Sequence, residues 1–149
     1  MSGESSRFLS SLPGNVLYYG RPEPLPTRTQ LRAGPLSLVF EDGDLRNIRL
    51  GETEILRRIY VAVRDHNWGT IPPVLSGYFL SEFHEGFRVG YTVDHKRGDI
   101  HFRWVASVEG EADGTITFTM DGKAMTNFRR NRIGFCILHP IRECAGRPC

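Results

Sequence analysis

A chain of 149 residues is the size of a single domain and is long enough to bury one hydrophobic core. Its nineteen Lys and Arg residues against seventeen Asp and Glu give a net charge of +2, and they are too scattered to favour a nucleic-acid partner. No apolar run approaches the roughly 18 residues of a membrane span, and the opening MSGESS lacks the features of a signal peptide. We therefore expect a cytoplasmic protein with no nucleic-acid or membrane partner.

Turn-forming residues divide the sequence into a lead-in and a domain. Residues 1–32 are predicted to be a partly irregular lead-in, with a candidate helical turn at 6–12 and a proline-rich stretch at 21–26. From Ala33 onwards, Gly and acidic residues recur at short intervals between apolar runs. We therefore place a single β domain at 33–149.

Within this domain, apolar and polar residues alternate with a period of two, which predicts β-strands. The predicted strands are 36–40, 45–50, 54–64, 77–83, 87–93, 99–108, 115–120, 123–128 and 133–138. Asp121 and Gly122 are predicted to form a two-residue hairpin loop, because Asp-Gly readily adopts positive φ values. Leu45, Ile48 and Leu50 are the predicted buried members of their strand.

The strand at 99–108 has the clearest amphipathic pattern, and its apolar face is predicted to share a core with that of 115–120. The residues predicted to line this core are Ile100, Phe102, Trp104, Ile116, Phe118 and Met120. The strand at 54–64 has apolar residues on both faces, so we expect it to be covered on both sides. Eight to ten short strands without helical periodicity predict an all-β, antiparallel β-sandwich.

A loop at Asp65 to Trp68 combines an acid, an imidazole, an amide and an indole. Such groups suit a carbohydrate, because the polar ones bond to hydroxyls and the ring covers the apolar face of a sugar. Asp65, His66, Asn67 and Trp68 are therefore candidate ligand-binding residues. The alternative is a tight turn in which Asp65 and Asn67 bond to their own backbone and Trp68 fills the core.

A polar cluster at 129–132 precedes the last apolar run. Guanidinium groups match the geometry of carboxylates, and Asn131 adds a donor and an acceptor, so this cluster is a candidate sugar-acid site. Arg132 is the strongest candidate within it. The alternative is a solvated strand edge with one arginine in a buried ion pair.

Three cysteines and a histidine near the C-terminus suggest a metal site at first sight. The cysteines are Cys136, Cys144 and Cys149. Their spacing does not provide the close ligand pairs of structural zinc, so we expect no metal, no cofactor and reduced thiols. A nucleophilic Cys-His pair is also disfavoured, because Cys136 lies within an apolar strand. His139 remains a candidate ligand-binding residue, and it joins Asp65 and Glu143 as a possible acid or base.

Two long segments, 33–73 and 114–149, carry a family resemblance. Its markers are the Arg64-Asp65 and Asn67-Trp68 pairs, the run from Arg132 to Phe135, the run from Leu138 to Pro140, and the pair Ala145-Gly146. The chain resembles the N-terminal β-sandwich region of the D-apionate lactonase family. This resemblance implies a β-sandwich similar to a galactose-mutarotase-like half and a part in the hydrolysis of a branched sugar-acid lactone.

Members of that family are longer and look like three domains in series, namely a β-sandwich, a TIM-type barrel and a further β domain. The barrel is missing from this sequence, so we expect a fragment that is incomplete at its C-terminus. Because TIM-barrel chemistry lies at the C-terminal ends of the barrel strands, we expect the chain to be inactive alone and carry over no catalytic residue. The expected partners are a sugar or sugar-acid ligand and the missing TIM-type barrel.

Two other classes of function stay open. A stand-alone carbohydrate-binding or structural module would need an exposed Trp68 or Trp104. A mutarotase-like sugar epimerase would need a histidine that faces a carboxylate across a concave sheet. The histidines in question are His66, His101 and His139, and the carboxylates are those of Asp65 and Glu143.

Overall fold

Nine strands make up most of residues 12–148, the part of the chain that this computed structural model describes. They are β1 (Arg28–Ala33), β2 (Leu36–Glu41), β3 (Asp44–Leu50), β4 (Thr53–Asp65), β5 (Pro73–Phe83), β6 (Gly86–Arg97), β7 (Ile100–Gly110), β8 (Ile116–Ala124) and β9 (Arg130–Leu138). Two short helices, α1 (Gly14–Tyr19) and α2 (Ile141–Cys144), flank them. Neither is long and apolar enough to cross a membrane. Apart from Leu12, the candidate turn at 6–12 lies outside the described residues.

The strands form two antiparallel sheets that pack as a sandwich. The first sheet has the order β1-β2-β3-β4-β9, and the second has the order β5-β6-β7-β8. Within each sheet the paired strands are consecutive in the chain, except that β9 follows the whole second sheet and pairs with β4. The all-β sandwich predicted from the sequence is confirmed. Its first strand, β1, lies within the stretch predicted to be a partly irregular lead-in.

The core between the sheets follows the period-two alternation of the strands. All six residues predicted to share a core on β7 and β8 belong to it: Ile100, Phe102, Trp104, Ile116, Phe118 and Met120. On β4, Val63 faces this core, and Ala62 on the opposite face is also buried, but Tyr60 and Arg64 on that face are only half-buried, so the strand is not fully covered on both sides. The alternation therefore identified the inward side chains.

A row of aromatic rings crosses the sandwich from one sheet to the other. It runs through Phe40, Tyr91, Trp104, Phe118 and Phe135, with neighbouring ring centroids 5.0 to 6.5 Å apart. All four pairs are tilted or edge-to-face, the arrangement that aromatic quadrupoles favour. The row links β2 of the first sheet, three strands of the second sheet, and β9.

The hairpin predicted at Asp121 and Gly122 is wrong, because β8 runs straight through both residues. Gly122 pairs with Trp104 on β7, and a Cβ at this position would come within 2.5 Å of the Phe102 ring. Glycine is needed here for the close approach of a neighbouring side chain and not for a turn. The strand predicted at 123–128 consequently does not form as a separate element.

The prediction that Leu50 is buried is also wrong. Leu45 and Ile48 enter the core as predicted, but Leu50 is 51% exposed. The register between β3 and β4 shifts between Ile48 and Arg49. Such an irregularity changes the face on which the following residues lie.

Candidate functional site

The loop after β4 is a tight turn built on Asp65. Its Oδ1 accepts hydrogen bonds from the backbone N–H groups of Gly69 (2.8 Å) and Asn67 (2.9 Å), and its carbonyl accepts one from Trp68 N–H (3.1 Å). The bond from Gly69, above all, holds the pKa of Asp65 below its usual range. Asp65 thus bonds to its own backbone in a tight turn, which is what the alternative to a ligand-binding role predicted for it.

Two arginines attach this turn to the rest of the sandwich. Arg64 Nη1 donates to Thr70 Oγ1 (2.8 Å), while Arg97 on β6 donates to the Thr70 carbonyl (3.1 Å) and pairs with Asp65 Oδ2. Both oxygens of the Asp65 carboxylate are therefore engaged in holding the loop. They are not free to act as a general base.

A buried histidine fixes the end of the same loop to the core. His95 is 1% exposed, with its Nδ1 2.8 Å from the Ile71 carbonyl oxygen and its Nε2 3.0 Å from Trp104 Nε1. Because an indole N–H only donates, Nε2 accepts and Nδ1 carries the proton donated to Ile71. Burial lowers the pKa of His95, which favours this neutral form.

Trp68 lies at the exposed tip of the loop. It is 58% exposed, so the alternative prediction that it fills the core is wrong; Ile71 takes that place. Its backbone adopts φ +65°, which is rare for a bulky residue. Such strain persists where the surrounding structure imposes it, and it is common at functional sites. A rigid loop therefore presents an indole face to solvent.

Beside this tip, three connections at one end of the sandwich enclose a groove of about 540 Å³, which we call the loop groove. It is lined by His66, Asp99, Ile100, Asn127, Phe128 and Arg129. Apart from Ile100, the first residue of β7, these residues come from the β4–β5, β6–β7 and β8–β9 connections. Thr126 joins the last two, because its Oγ1 donates to the Asp99 carbonyl (2.8 Å) and accepts from His101 N–H (3.0 Å).

The groove combines groups that can recognise an acidic sugar. Arg129 offers a guanidinium fork for a carboxylate, Asn127 offers a donor and an acceptor for hydroxyls, and Phe128 offers a ring. His66 makes no hydrogen bond within the described part of the chain, so no neighbour there fixes its orientation. The arrangement is thus better suited to binding than to proton transfer.

The other predicted site residues lie elsewhere. Arg132 is exposed on β9 opposite Arg64 and does not line the groove. His139 follows β9 at the far end of the first sheet, because Arg130 pairs with Asp65 while Leu138 pairs with residue 58. The structure therefore places His66 and Arg129 together but separates them from His139.

Of the three candidate histidines, His101 is the one that bonds to a carboxylate within residues 12–148, and its partner is Asp94. His101 Nε2 lies 2.5 Å from Asp94 Oδ1, and Arg103 binds the same carboxylate through Nε (3.0 Å) and Nη2 (2.9 Å). The bonds from Arg103 and His101 hold the pKa of Asp94 far below its usual range. His101 is thus engaged with Asp94, and neither Asp65 nor Glu143 bonds to a histidine within residues 12–148.

The cysteines stand apart from these groups. Cys136 is half-buried in β9 and Cys144 is exposed in α2, and both are free thiols. Cys149 lies outside the described residues. Among residues 12–148, no three His, Cys, Asp or Glu side chains come close enough together to hold a metal ion.

Sequence reasoning missed half of the loop groove. Asp99 fell within the strand predicted at 99–108, and Asn127 and Phe128 fell within the strand predicted at 123–128. The only signal for Asn127 and Phe128 was their position next to Arg129. Their convergence with His66 depends on which loops share an end of the sandwich, and this follows from topology.

The fold and the loop groove together define a class of protein, a β-sandwich domain that presents charged, amide and aromatic side chains on loops at one end. The chain belongs to the D-apionate lactonase N-terminal domain family, whose family model matches residues 16–149. A curated relative, D-apionate lactonase of Brucella anthropi, is 38% identical over 133 residues, which cover 89% of this chain and 22% of the relative. No solved structure matches the chain significantly. The family resemblance drawn from the sequence is thus confirmed.

Proposed function

We propose that this chain serves as the N-terminal domain of a hydrolase of sugar-acid lactones, similar to D-apionate lactonase, and that it does not hydrolyse a lactone alone. The observation that carries the proposal is the relative named for this activity, which shares 38% identity with the chain over 22% of its own length. Most of that relative has no counterpart in this sequence. We propose that a TIM-type barrel in that remainder supplies the catalytic groups.

The geometry of the loop groove supports a role in binding for this domain. A hydrolytic general base needs a positioned carboxylate or an imidazole oriented by a third group. Asp65 is bonded to Arg97 and to its own loop, and His66 has no bonded neighbour among the described residues. In our proposal Arg129 and Asn127 contact the sugar acid, while the chemistry occurs outside this domain.

A lactonase assay on the purified 149-residue chain tests this proposal. A sugar-acid γ-lactone is added at constant pH, and release of the acid is titrated, with a full-length family member as the positive control. The chain alone is expected to give only the uncatalysed rate. Turnover by the chain that is abolished in His66→Ala would show that the domain is a complete small enzyme.

The exposed Trp68 favours one second candidate function, a stand-alone carbohydrate-binding module. The chain has two tryptophans, and Trp104 is 3% exposed, so a sugar that changes the fluorescence must do so mainly through Trp68. Saturable quenching by a neutral sugar, lost in Trp68→Ala and retained in Phe79→Ala, would support the binding module. Quenching by sugar acids alone would instead favour the lactonase-type domain.

A further inference from the structure

A second cleft lies on the outer face of the first sheet and shares no lining residue with the loop groove. It has a volume of about 460 Å³, and we call it the arginine cleft. Arg28, Arg46 and Arg57 from β1, β3 and β4 line one side, and Tyr19 at the end of α1 and Arg21 just after it line the other.

The second side is held in place by one side chain. Asn15 Nδ2 donates hydrogen bonds to the carbonyls of Pro22 (2.8 Å) and Glu23 (3.0 Å). Helix α1 ends at Tyr19 and is capped by Gly20, whose φ of +73° turns the chain and whose N–H donates to the Val16 carbonyl. The segment that carries Tyr19 and Arg21 is therefore folded back and ordered by its own bonds.

The charges of the cleft are only partly compensated. Glu41 pairs with Arg28 (2.9 Å) and with Arg46, and the 5% exposed Glu54 pairs with Arg57 (2.8 Å). Arg21 also lines the cleft and has no ion-pair partner in the described part of the chain. Four guanidinium groups thus face two carboxylates, which leaves an excess of two positive charges.

Many hydrogen-bond donors in the cleft remain available. A guanidinium group has five N–H donors, and in these ion pairs Arg28, Arg46 and Arg57 each use one nitrogen. Asn47 Nδ2 donates to the second oxygen of Glu54 (3.0 Å), which leaves the Asn47 amide oxygen as an acceptor. The same carboxylates that partly neutralise the arginines also hold them in position.

We propose that the arginine cleft binds a small polyhydroxylated carboxylate, that is, an open-chain sugar acid. The guanidinium groups match the planar carboxylate, Glu41 and Asn47 accept hydrogen bonds from hydroxyls, and the ring of Tyr19 covers the apolar side of the carbon chain. The volume lies within the range of small-molecule pockets. A neutral sugar of the same size has no negative charge to balance the excess positive charge of the cleft.

Calorimetric titration of the whole 149-residue chain with D-gluconate and with D-glucose tests the proposal, because the two ligands have the same number of carbons and differ in charge. The titrations use the Arg129→Gln background, so that binding in the loop groove does not contribute. Gluconate is expected to bind and glucose is not. The affinity for gluconate should fall when sodium chloride is raised from about 20 to about 500 mM, since salt screens exposed charges.

Two variants test whether gluconate binds in the arginine cleft. Arg21→Gln should weaken gluconate binding about tenfold or more, the loss of one hydrogen bond to a charged group. Arg88→Gln removes the same charge from an exposed position on β6 and should leave the affinity unchanged. Because Arg21 has no ion pair to lose among residues 12–148, Arg21→Gln should keep the melting temperature of its parent. Absence of gluconate binding, equal binding of glucose, or equal losses in both variants would overturn the proposal. A negative lactonase assay would not affect it.

Discussion

At the scale of single residues, His95 shows how a core position controls an exposed loop. Its ring bonds to the loop at Ile71 on one side and to Trp104 on the other, so the loop that carries His66 and Trp68 is tied to the interior. The two bonds require a neutral imidazole with the proton on Nδ1. Protonation removes the acceptor for the Trp104 N–H and places a charge in the core.

The stability of the protein should therefore depend on pH through His95. Burial lowers its pKa in the folded state below the usual 6.5, so the unfolded chain binds the proton more readily. The contribution of His95 to stability is complete above about pH 6.5 and is lost as the pH falls below that value, by at most about 1.4 kcal/mol per pH unit. Urea unfolding at pH 7.5, 6.5 and 5.5 measures this loss.

His95→Gln should remove this dependence, while His84→Gln, at an exposed position, should retain it. His84→Gln is needed as a control because the titration of Asp44 changes the stability of the protein with pH in the opposite direction. Burial raises the pKa of Asp44 to about 6, so its effect on stability is favourable at low pH and is lost as the pH rises through that value. Equal pH dependence in both histidine variants would contradict the role assigned to His95.

The turn at Asp65 yields a second prediction at this scale. Asp65→Ala removes the acceptor for two backbone N–H groups and the partner of Arg97, so the tip should become mobile. The fluorescence anisotropy of Trp68, measured in a Trp104→Phe background, should fall. Asp65→Asn keeps an acceptor oxygen and should fall less. An unchanged anisotropy in Asp65→Ala would show that the strained backbone at Trp68 is held by other contacts.

At the scale of elements, the alternation of apolar and polar residues predicted the strands well, because one buried face forces a period of two. The prediction of strands failed at a glycine, because glycine occurs both in turns and at positions where a neighbouring side chain approaches the backbone closely. Gly122 after Asp121 has the chemistry of a hairpin turn, but the pairing of β7 with β8 uses it beneath the Phe102 ring. Local turn preference could not reveal a contact with a residue twenty positions away. Half of the loop groove was missed for the same reason.

Gly122→Ala is therefore expected to destabilise the sandwich by about 1 to 3 kcal/mol, the cost of overpacking. The added methyl group would meet the ring of Phe102, which is itself buried in the core. Gly14→Ala is the matched control, because a Cβ there has no atom within 4 Å among the described contacts. Chemical denaturation gives both values. A neutral effect of Gly122→Ala would mean that Phe102 moves aside at little cost.

At the scale of the whole molecule, the order of the strands predicts a gradient of local stability. β6 and β7 pair on both sides and carry the most buried residues, while β9 pairs with β4 alone. Native-state hydrogen exchange should show that the amides of β6 and β7 exchange through global unfolding. The amides of β9 should exchange faster through local opening. Equal protection of β9 and β6 would show that something other than strand pairing secures β9.

The return of β9 also has a consequence for synthesis on the ribosome. Every other pairing joins neighbours along the chain, whereas β4 and β9 are 65 to 80 residues apart at their paired positions. Nascent chains fold as they emerge, and distant contacts form last. The backbone N–H and C=O groups on the outer edge of β4 therefore have no strand partner while the whole second sheet is translated. During that interval the growing polypeptide exposes an unpaired strand edge to wrong partners, and chaperones should capture stalled nascent chains more strongly before β9 has left the ribosome than after it.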